Sequence, residues 1–175
     1  DFTQVNFELN KKMIDLALDL LNLTKNDNVI DLFCGLGNFT LPISRYVNSV
    51  VGIEGDKGLV ERAKENAKVN DITNASFYKA DLFEDVTGFE WFRGKTYNKA
   101  LIDPARTGAI EIVELLPKLK VEKIVYVSCN PATLARDTAK LIDLGFYLES
   151  AGVMDMFPQT AHVESIALFV RKKQP

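Results

Sequence analysis

Val29-Ile30-Asp31-Leu32-Phe33-Cys34-Gly35-Leu36-Gly37-Asn38-Phe39-Thr40 is the stretch that decides the fold. A short apolar run breaks into two glycines one residue apart, then resumes with helical spacing through Leu41, Ile43 and Tyr46. Val29 to Phe33 reads as a buried strand and the segment after the glycines as a helix. The glycines between them permit a tight turn whose backbone N–H groups can approach a ligand closely.

The same rhythm extends in both directions. Before the turn, Met13, Ile14, Ala17, Leu18 and Leu21 line one face of a helix spanning about Asn10 to Leu23. After it come a strand from Val50 to Ile53 closed by Glu54, a helix from Leu59 to Val69, and a strand from Ser76 to Tyr78 ending near Asp81. Ala100 to Ile102 is a strand stopped by Asp103-Pro104, and Ile110 to Leu119 has a helical pattern that Pro117 ends or kinks. Ile124 to Val127 is a strand stopped by Ser128-Cys129-Asn130-Pro131, followed by a helix from Leu134 to Leu144 with Gly145 as its cap. Strands near Tyr147–Val153 and Ser165–Val170 flank a loop around Met154–Glu164. Alternation of this kind predicts an α/β fold, a mostly parallel sheet with helices on both faces, in one domain over residues 1–175. Ligands of such sheets bind at the carboxyl ends of the strands. Asp31, Glu54, Asp81, Asp103 and Cys129 all fall just inside or beyond predicted strand ends.

Composition sets the bounds. The 175 residues, 47% hydrophobic and 26% charged, suit one soluble domain with a real core. No apolar run approaches a membrane span, so no membrane association is expected. Two cysteines, Cys34 and Cys129, make neither a disulfide framework nor a metal cluster, and point to a reducing cytoplasm. A net charge of −3 does not by itself favour a nucleic acid partner, and the one dense basic run is Arg171-Lys172-Lys173. The opening Asp1-Phe2-Thr3-Gln4 lacks an initiator Met, so a C-terminal fragment of a longer protein is expected, with any RNA-binding surface elsewhere.

A G-x-G turn alone is weakly specific. Its pairing with Glu54, an acid at the end of the next strand, is more informative, because an ionised carboxylate there can accept from two ribose hydroxyls. A nicotinamide dinucleotide is the competing ligand, but its fingerprint wants a third small residue where Thr40 stands. Asp31 inside the strand instead resembles the D-x-x-x-G-x-G signature of class I methyltransferases. Asp81 either approaches an adenine or caps the turn that follows it.

Cys129 sits where a strand breaks, with Pro131 preventing further sheet and a helix beginning at once. The dipole of that helix would favour a thiolate, whereas a cysteine within apolar sequence is by default packing, the reading that fits Cys34.

Together, Phe2-Thr3-Gln4-Val5-Asn6, Asp31 through Thr40, Leu101-Ile102-Asp103-Pro104-Ala105-Arg106, Val127-Ser128-Cys129-Asn130-Pro131-Ala132-Thr133-Leu134, and Asp155-Met156-Phe157-Pro158 through His162-Val163-Glu164 resemble the RNA (uracil-5-)-methyltransferase family. That resemblance implies a Rossmann-like class I fold with an antiparallel C-terminal strand, and S-adenosylmethionine as methyl donor, with S-adenosylhomocysteine as product. It implies Cys129 as nucleophile and Glu164 as the base removing the C5 proton; the residues themselves also offer His162, the only histidine, as an alternative base. It places Gln4, Phe33, Asn38, Glu54 and Asp81, with the turn glycines Gly35 and Gly37, around the cofactor. Asp103 would lie near both the methyl donor and the uracil N3–H, and Arg106 would be a phosphate contact or a plain surface cation.

Asp103-Pro104-Ala105-Arg106 with Ser128-Cys129-Asn130-Pro131-Ala132-Thr133-Leu134-Ala135-Arg136-Asp137 is most similar to the bacterial 23S ribosomal RNA branch, which makes 5-methyluridine. The transfer RNA branch, an amino-group methyltransferase and a non-catalytic S-adenosylmethionine-binding module are the alternatives. Enzymes of the ribosomal branch also carry an N-terminal β-barrel and an iron–sulfur segment. Two cysteines cannot supply such a cluster, so these 175 residues alone are expected to bind the cofactor and to methylate RNA weakly or not at all. No obligate protein partner is implied, and no metal is expected within these residues.

Overall fold

The computed structural model describes residues 2–155 and 163–173, with the side chains of residues 7–154 and 164–173. The elements run α1 (Phe2–Leu21), β1 (Asn28–Leu32), α2 (Thr40–Ser44), β2 (Ser49–Glu54), α3 (Lys57–Val69), β3 (Ala75–Lys79), β4 (Lys99–Ile102), α4 (Ile110–Val113), a 3₁₀ turn (Leu116–Leu119), β5 (Lys123–Ser128), α5 (Pro131–Asp143), β6 (Phe146–Asp155) and β7 (Val163–Arg171). The seven strands form one sheet in the order β3-β2-β1-β4-β5-β7-β6. The β3-β2-β1-β4-β5 pairings are parallel, whereas β7 is antiparallel to both β5 and β6. The expected mostly parallel sheet with an antiparallel last strand is the sheet observed.

Two apolar layers sandwich it. On one face, Met13, Ala17 and Leu21 of α1 pack with Ile43 of α2 on Val29, Val50, Leu101, Val125, Val127 and Ile166. Val60, Ala63 and Ala67 of α3 continue that layer over Phe77. The other face buries Ile30, Ile102, Ile124, Tyr126 and Phe169 under Ile112, Leu116 and Leu141. No described helix is long and apolar enough to cross a membrane.

Several boundaries differ from the sequence reading, each for a local reason. α1 starts at Phe2 rather than Asn10, and Asn22, at φ 51°, ends it before Leu23. The helix after the glycine turn is short, Thr40–Ser44, because Leu36 to Phe39 stay in the turn. The helix expected over Ile110–Leu119 is instead α4 and a 3₁₀ turn. Pro117, without an N–H and with its ring set against the preceding carbonyls, cannot sit in a continuous α-helix there. Between β3 and β4, a stretch to which the sequence reading assigned no element, residues 81–98 run as turns that bury Val86, Trp91, Phe92 and Tyr97. The Tyr97 hydroxyl donates to the Trp91 carbonyl at 2.5 Å, tying that segment to itself. α5 begins earlier than expected, at Pro131, with Asn130 capping it by accepting from Ala132 N at 3.0 Å. Gly145, at φ 99°, follows its last turn as anticipated.

Candidate active site

The glycine turn leaves β1 through a backbone few bulky residues adopt. Phe33 stands at φ 65°, a left-handed conformation that costs a branched or aromatic residue about 1–2 kcal/mol. It is held there by Cys34 N donating to Ile53 O at 2.9 Å, and its ring lies 5.8 Å from that of Phe83. Gly35 and Gly37 follow at φ 55° and 89°. A Cβ on Gly37 would press on Leu41 and Phe77, whereas one on Gly35 would meet nothing within 4 Å. Gly35 therefore borders open space at the carboxyl end of the sheet. Asn38, next in the turn, is exposed.

Glu54, from the end of β2, closes this turn. Its Oε1 accepts from Gly35 N at 3.2 Å and its Oε2 from Asp56 N at 2.9 Å. Asp81 accepts from Phe83 N at 2.9 Å, so it does cap the turn after β3. The side chain of Gln4 and all of His162 lie outside the described residues.

Sequence reasoning missed one pairing here. Thr40, the residue that counted against a dinucleotide, donates from Oγ1 to Asp31 Oδ2 at 2.5 Å, and both side chains are wholly buried. The second oxygen, Asp31 Oδ1, is buried without a hydrogen-bond partner among the described residues. Burial pushes the Asp31 carboxyl up to about 7; the Thr40 bond opposes the rise, and the charges of Asp103 and Glu54 add to it. The D-x-x-x-G-x-G spacing placed Asp31 and Thr40 nine residues apart, but only the turn between them brings the two side chains together.

Asp103 and Cys129 emerge from adjacent parallel strands, since Ile102 pairs with Tyr126. Glu164 arrives from the antiparallel strand. Ser128 pairs with Ser165, so continuing the register by one residue brings Cys129 opposite Glu164. The electrostatics agree with that placement. Burial and the Glu164 charge push the Asp103 carboxyl up to about 7. Burial and Glu164 also push the Cys129 thiol up, with Asp103 adding and the Arg106 guanidinium pulling the other way. The helix that follows Cys129 was expected to favour a thiolate; burial first, and then the Glu164 and Asp103 carboxylates, instead push the thiol above its ordinary range. Cys34 is buried and its thiol is pushed well above the ordinary range by burial and by Asp31, which fits the packing reading.

Four carboxylates, Asp31, Glu54, Asp103 and Glu164, thus converge on one rim, with a half-buried thiol among them. Such a rim attracts a cationic ligand and can accept protons from a bound base. Arg106 is exposed at its edge.

A second interaction set was invisible in the sequence. The backbone carbonyl of Arg106 accepts from Asn130 Nδ2 at 2.9 Å and from Thr133 Oγ1 at 3.1 Å, which ties the segment after β4 to the start of α5.

The family described as tRNA (Uracil-5-)-methyltransferase matches residues 1–173. A 23S rRNA (uracil(1939)-C(5))-methyltransferase RlmD from Vesicomyosocius okutanii subsp. Calyptogena okutanii is 73% identical over 172 residues, covering 98% of this chain and 39% of that protein. The protein of the same name from Alcanivorax borkumensis is 57% identical over 174 residues, 99% of this chain and 39% of its own length. The chain therefore spans about two fifths of the length of these curated relatives. Among solved structures, the Pyrococcus abyssi tRNA (uracil-54, C5)-methyltransferase in complex with S-adenosyl-L-homocysteine superposes with a TM-score of 0.72 at 30% identity, covering 89% of this chain and 37% of that one. The magnesium protoporphyrin IX methyltransferase of Synechocystis shares the fold at a TM-score of 0.74 and 16% identity, covering 98% of this chain and 88% of that one.

Proposed function

The chain belongs to the tRNA (uracil-5-)-methyltransferase family, and from that premise we propose that it is the catalytic part of an enzyme that methylates C5 of a uridine in 23S ribosomal RNA. The relatives at 73% and 57% identity support the ribosomal substrate and a uridine equivalent to their position 1939. The observation that carries the chemistry is the β5–β7 register, which brings Cys129 opposite Glu164 beside the strand end bearing Asp103.

S-adenosylmethionine fits the glycine turn on three observations: the open space over Gly35, an Asp31 Oδ1 left unpartnered among the described residues, and four carboxylates suited to a cation. In this reading Phe33, Gly35, Gly37, Asn38, Glu54 and Asp81 serve the cofactor, and Asp103, whose charge acts on both Asp31 and Cys129, serves both halves of the site. When bound, it supplies an electrophilic methyl on a positively charged sulfur and leaves as neutral-sulfur S-adenosylhomocysteine, which the acidic rim holds less strongly.

C5 of uracil is too weak a nucleophile to react directly. Once the Cys129 thiol has given its proton to water, the thiolate adds to C6, breaking the C5–C6 double bond and moving its electron pair into an enolate whose C5 is nucleophilic. Asp103, when ionised, accepts from the N3–H that uracil has and cytosine lacks. Its carboxyl at about 7 makes this contact stronger as pH rises through neutrality. Once C5 carries the methyl, Glu164 takes the C5 proton. The released pair re-forms C5=C6 and expels the Cys129 thiolate. A base inside a folded RNA must leave its stack to reach such a cleft. The two thiols, free in this structure, suit the reducing cytoplasm in which ribosomal RNA is modified.

The test is mass spectrometry of ribosomal RNA from cells lacking the full-length protein. One 5-methyluridine in 23S RNA should vanish and return with the wild-type gene, but not with Cys129→Ala. Restoration by Cys129→Ala would remove the nucleophile, and unchanged 23S RNA would remove the substrate.

A further inference from the structure

The Arg136-Asp137 tail of the motif that opens at Ser128 takes no part in the reaction above, yet it forms a buried, fully bonded polar cluster beneath the rim. Asp137 is wholly buried on the side of α5 facing the sheet. Its Oδ2 accepts from the Tyr126 hydroxyl at 2.5 Å and from Ala109 N at 2.8 Å, and its Oδ1 accepts from Arg136 Nε at 3.0 Å. Arg136 Nη2 donates in turn to Thr107 O at 2.9 Å. With the Asn130 and Thr133 bonds to Arg106 O, α5 and its cap grip the backbone at residues 106, 107 and 109. Gly108 lies between at φ 76°. A Cβ there would stand 2.6 Å from Arg136 Nη2 and 2.9 Å from Asp137 Oδ2, so the segment is pressed directly onto the cluster.

The cost of this arrangement makes it informative. A buried carboxylate is a weak stabiliser, and apolar residues of the same volume hold helices to sheets as well or better. What charge-assisted bonds add is direction. Every described partner of this carboxylate belongs to an element or segment that begins or ends beside a site residue. Tyr126 lies three positions before Cys129 on β5, Ala109 and Thr107 lie in the segment that begins at Asp103, and α5 begins two residues after Cys129.

We propose that Asp137, acting through Tyr126, Arg136 and the backbone of residues 106–109, is a positioning residue that clamps the Asp103–Arg106 segment onto α5 and thereby fixes Asp103 and Arg106 against the Cys129 thiol. The proposal rests on the reading of Cys129 as nucleophile. Among the described residues, the groups that face Cys129 are Glu164 from β7, Asp103 from the end of β4, Arg106 from the clamped segment and Tyr126 from β5. Arg106 is the cation among them, so releasing the clamp withdraws the charge that opposes the carboxylates.

Two substitutions in the full-length protein test it. Asp137→Asn keeps the shape and removes the charge. Arg136→Ala removes the Thr107 bond and the bond to Asp137 Oδ1 from a side chain that is 45% exposed, and gives a second variant to read if the first does not fold. Three readings are taken: the rate of adduct formation with a 5-fluorouracil-containing RNA, S-adenosylmethionine affinity by calorimetry, and Cys129 alkylation by iodoacetamide across pH. The clamp requires adduct formation to slow roughly 10- to 100-fold, as small misplacements of reacting groups do, at unchanged cofactor affinity. It also requires Cys129 alkylation to move to higher pH, which a purely structural role for Asp137 would not produce. A folded Arg136→Ala protein with the wild-type adduct rate and alkylation profile overturns the clamp. Adduct formation by Cys129→Ala instead overturns the nucleophile on which it depends.

Discussion

Replacing Asp31 with asparagine should make the protein more stable above neutral pH while weakening its hold on the cofactor. Asp31 is wholly buried, with one oxygen bonded to Thr40 and the other without a partner among the described residues. Its carboxyl lies at about 7 when folded, against 3.8 ordinarily. The unfolded chain therefore loses this proton near pH 4 and the folded chain only near pH 7. Below pH 4 both forms are protonated and the residue costs nothing. As pH rises to 7 the cost of folding grows, reaching roughly 4 kcal/mol when both forms are ionised. The asparagine side chain would keep the Thr40 bond without the buried charge, so a gain of about 2–4 kcal/mol is expected at pH 8, and none at pH 4. Trp91, the only tryptophan and fully buried, reports unfolding by fluorescence in urea. Midpoints measured from pH 4 to 8.5 should fall with pH in the wild type and fall less in Asp31→Asn. A residual slope will remain because Asp103 is shifted in the same direction. Parallel curves for the two proteins, or a variant less stable at pH 8, would refute the assignment of a buried charge at Asp31. The companion measurement is calorimetric titration with S-adenosylmethionine, where the stabilised variant should bind more weakly.

Other outcomes follow from the same geometry. Gly108→Ala combines a left-handed φ with a 2.6 Å approach to Arg136 Nη2, so a loss of roughly 2–3 kcal/mol in urea denaturation is expected, with slower adduct formation in the folded fraction. Gly52→Ala would set a methyl 2.8 Å from the Phe77 ring and 2.9 Å from Cys34 Sγ beneath the glycine turn. Thermal unfolding should show a cost of about 1–3 kcal/mol. Arg106→Gln should move Cys129 alkylation to higher pH and Glu164→Gln to lower pH, because the guanidinium supports the thiolate and the carboxylate opposes it. Glu164→Gln should also let the covalent adduct with a natural uracil RNA accumulate, visible as a denaturant-resistant band, since the C5 proton then has no acceptor.

What the linear chain determined was the placement of single residues at strand ends. Alternating apolar runs stopped by Gly35, Glu54, Asp81, Asp103-Pro104 and Asn130-Pro131 specify a parallel sheet, because backbone conformation and local burial are read over a few residues at a time. That sufficed to put Asp31, Asp103 and Cys129 on one rim. It did not suffice for residues 81–98, to which it assigned no element and where turns bury Trp91 and Tyr97, since packing against the sheet rather than local propensity sets that path. Nor did spacing yield the Asp31–Thr40 bond or the Asp137 cluster, whose partners lie nine to about thirty residues apart. Glu164 is the sharpest case. Nothing in a distance of 35 residues selects it as a partner of Cys129. The antiparallel insertion of β7 beside β5 selects it, because reversing the strand brings its amino end, rather than its carboxyl end, to the rim where the thiol waits.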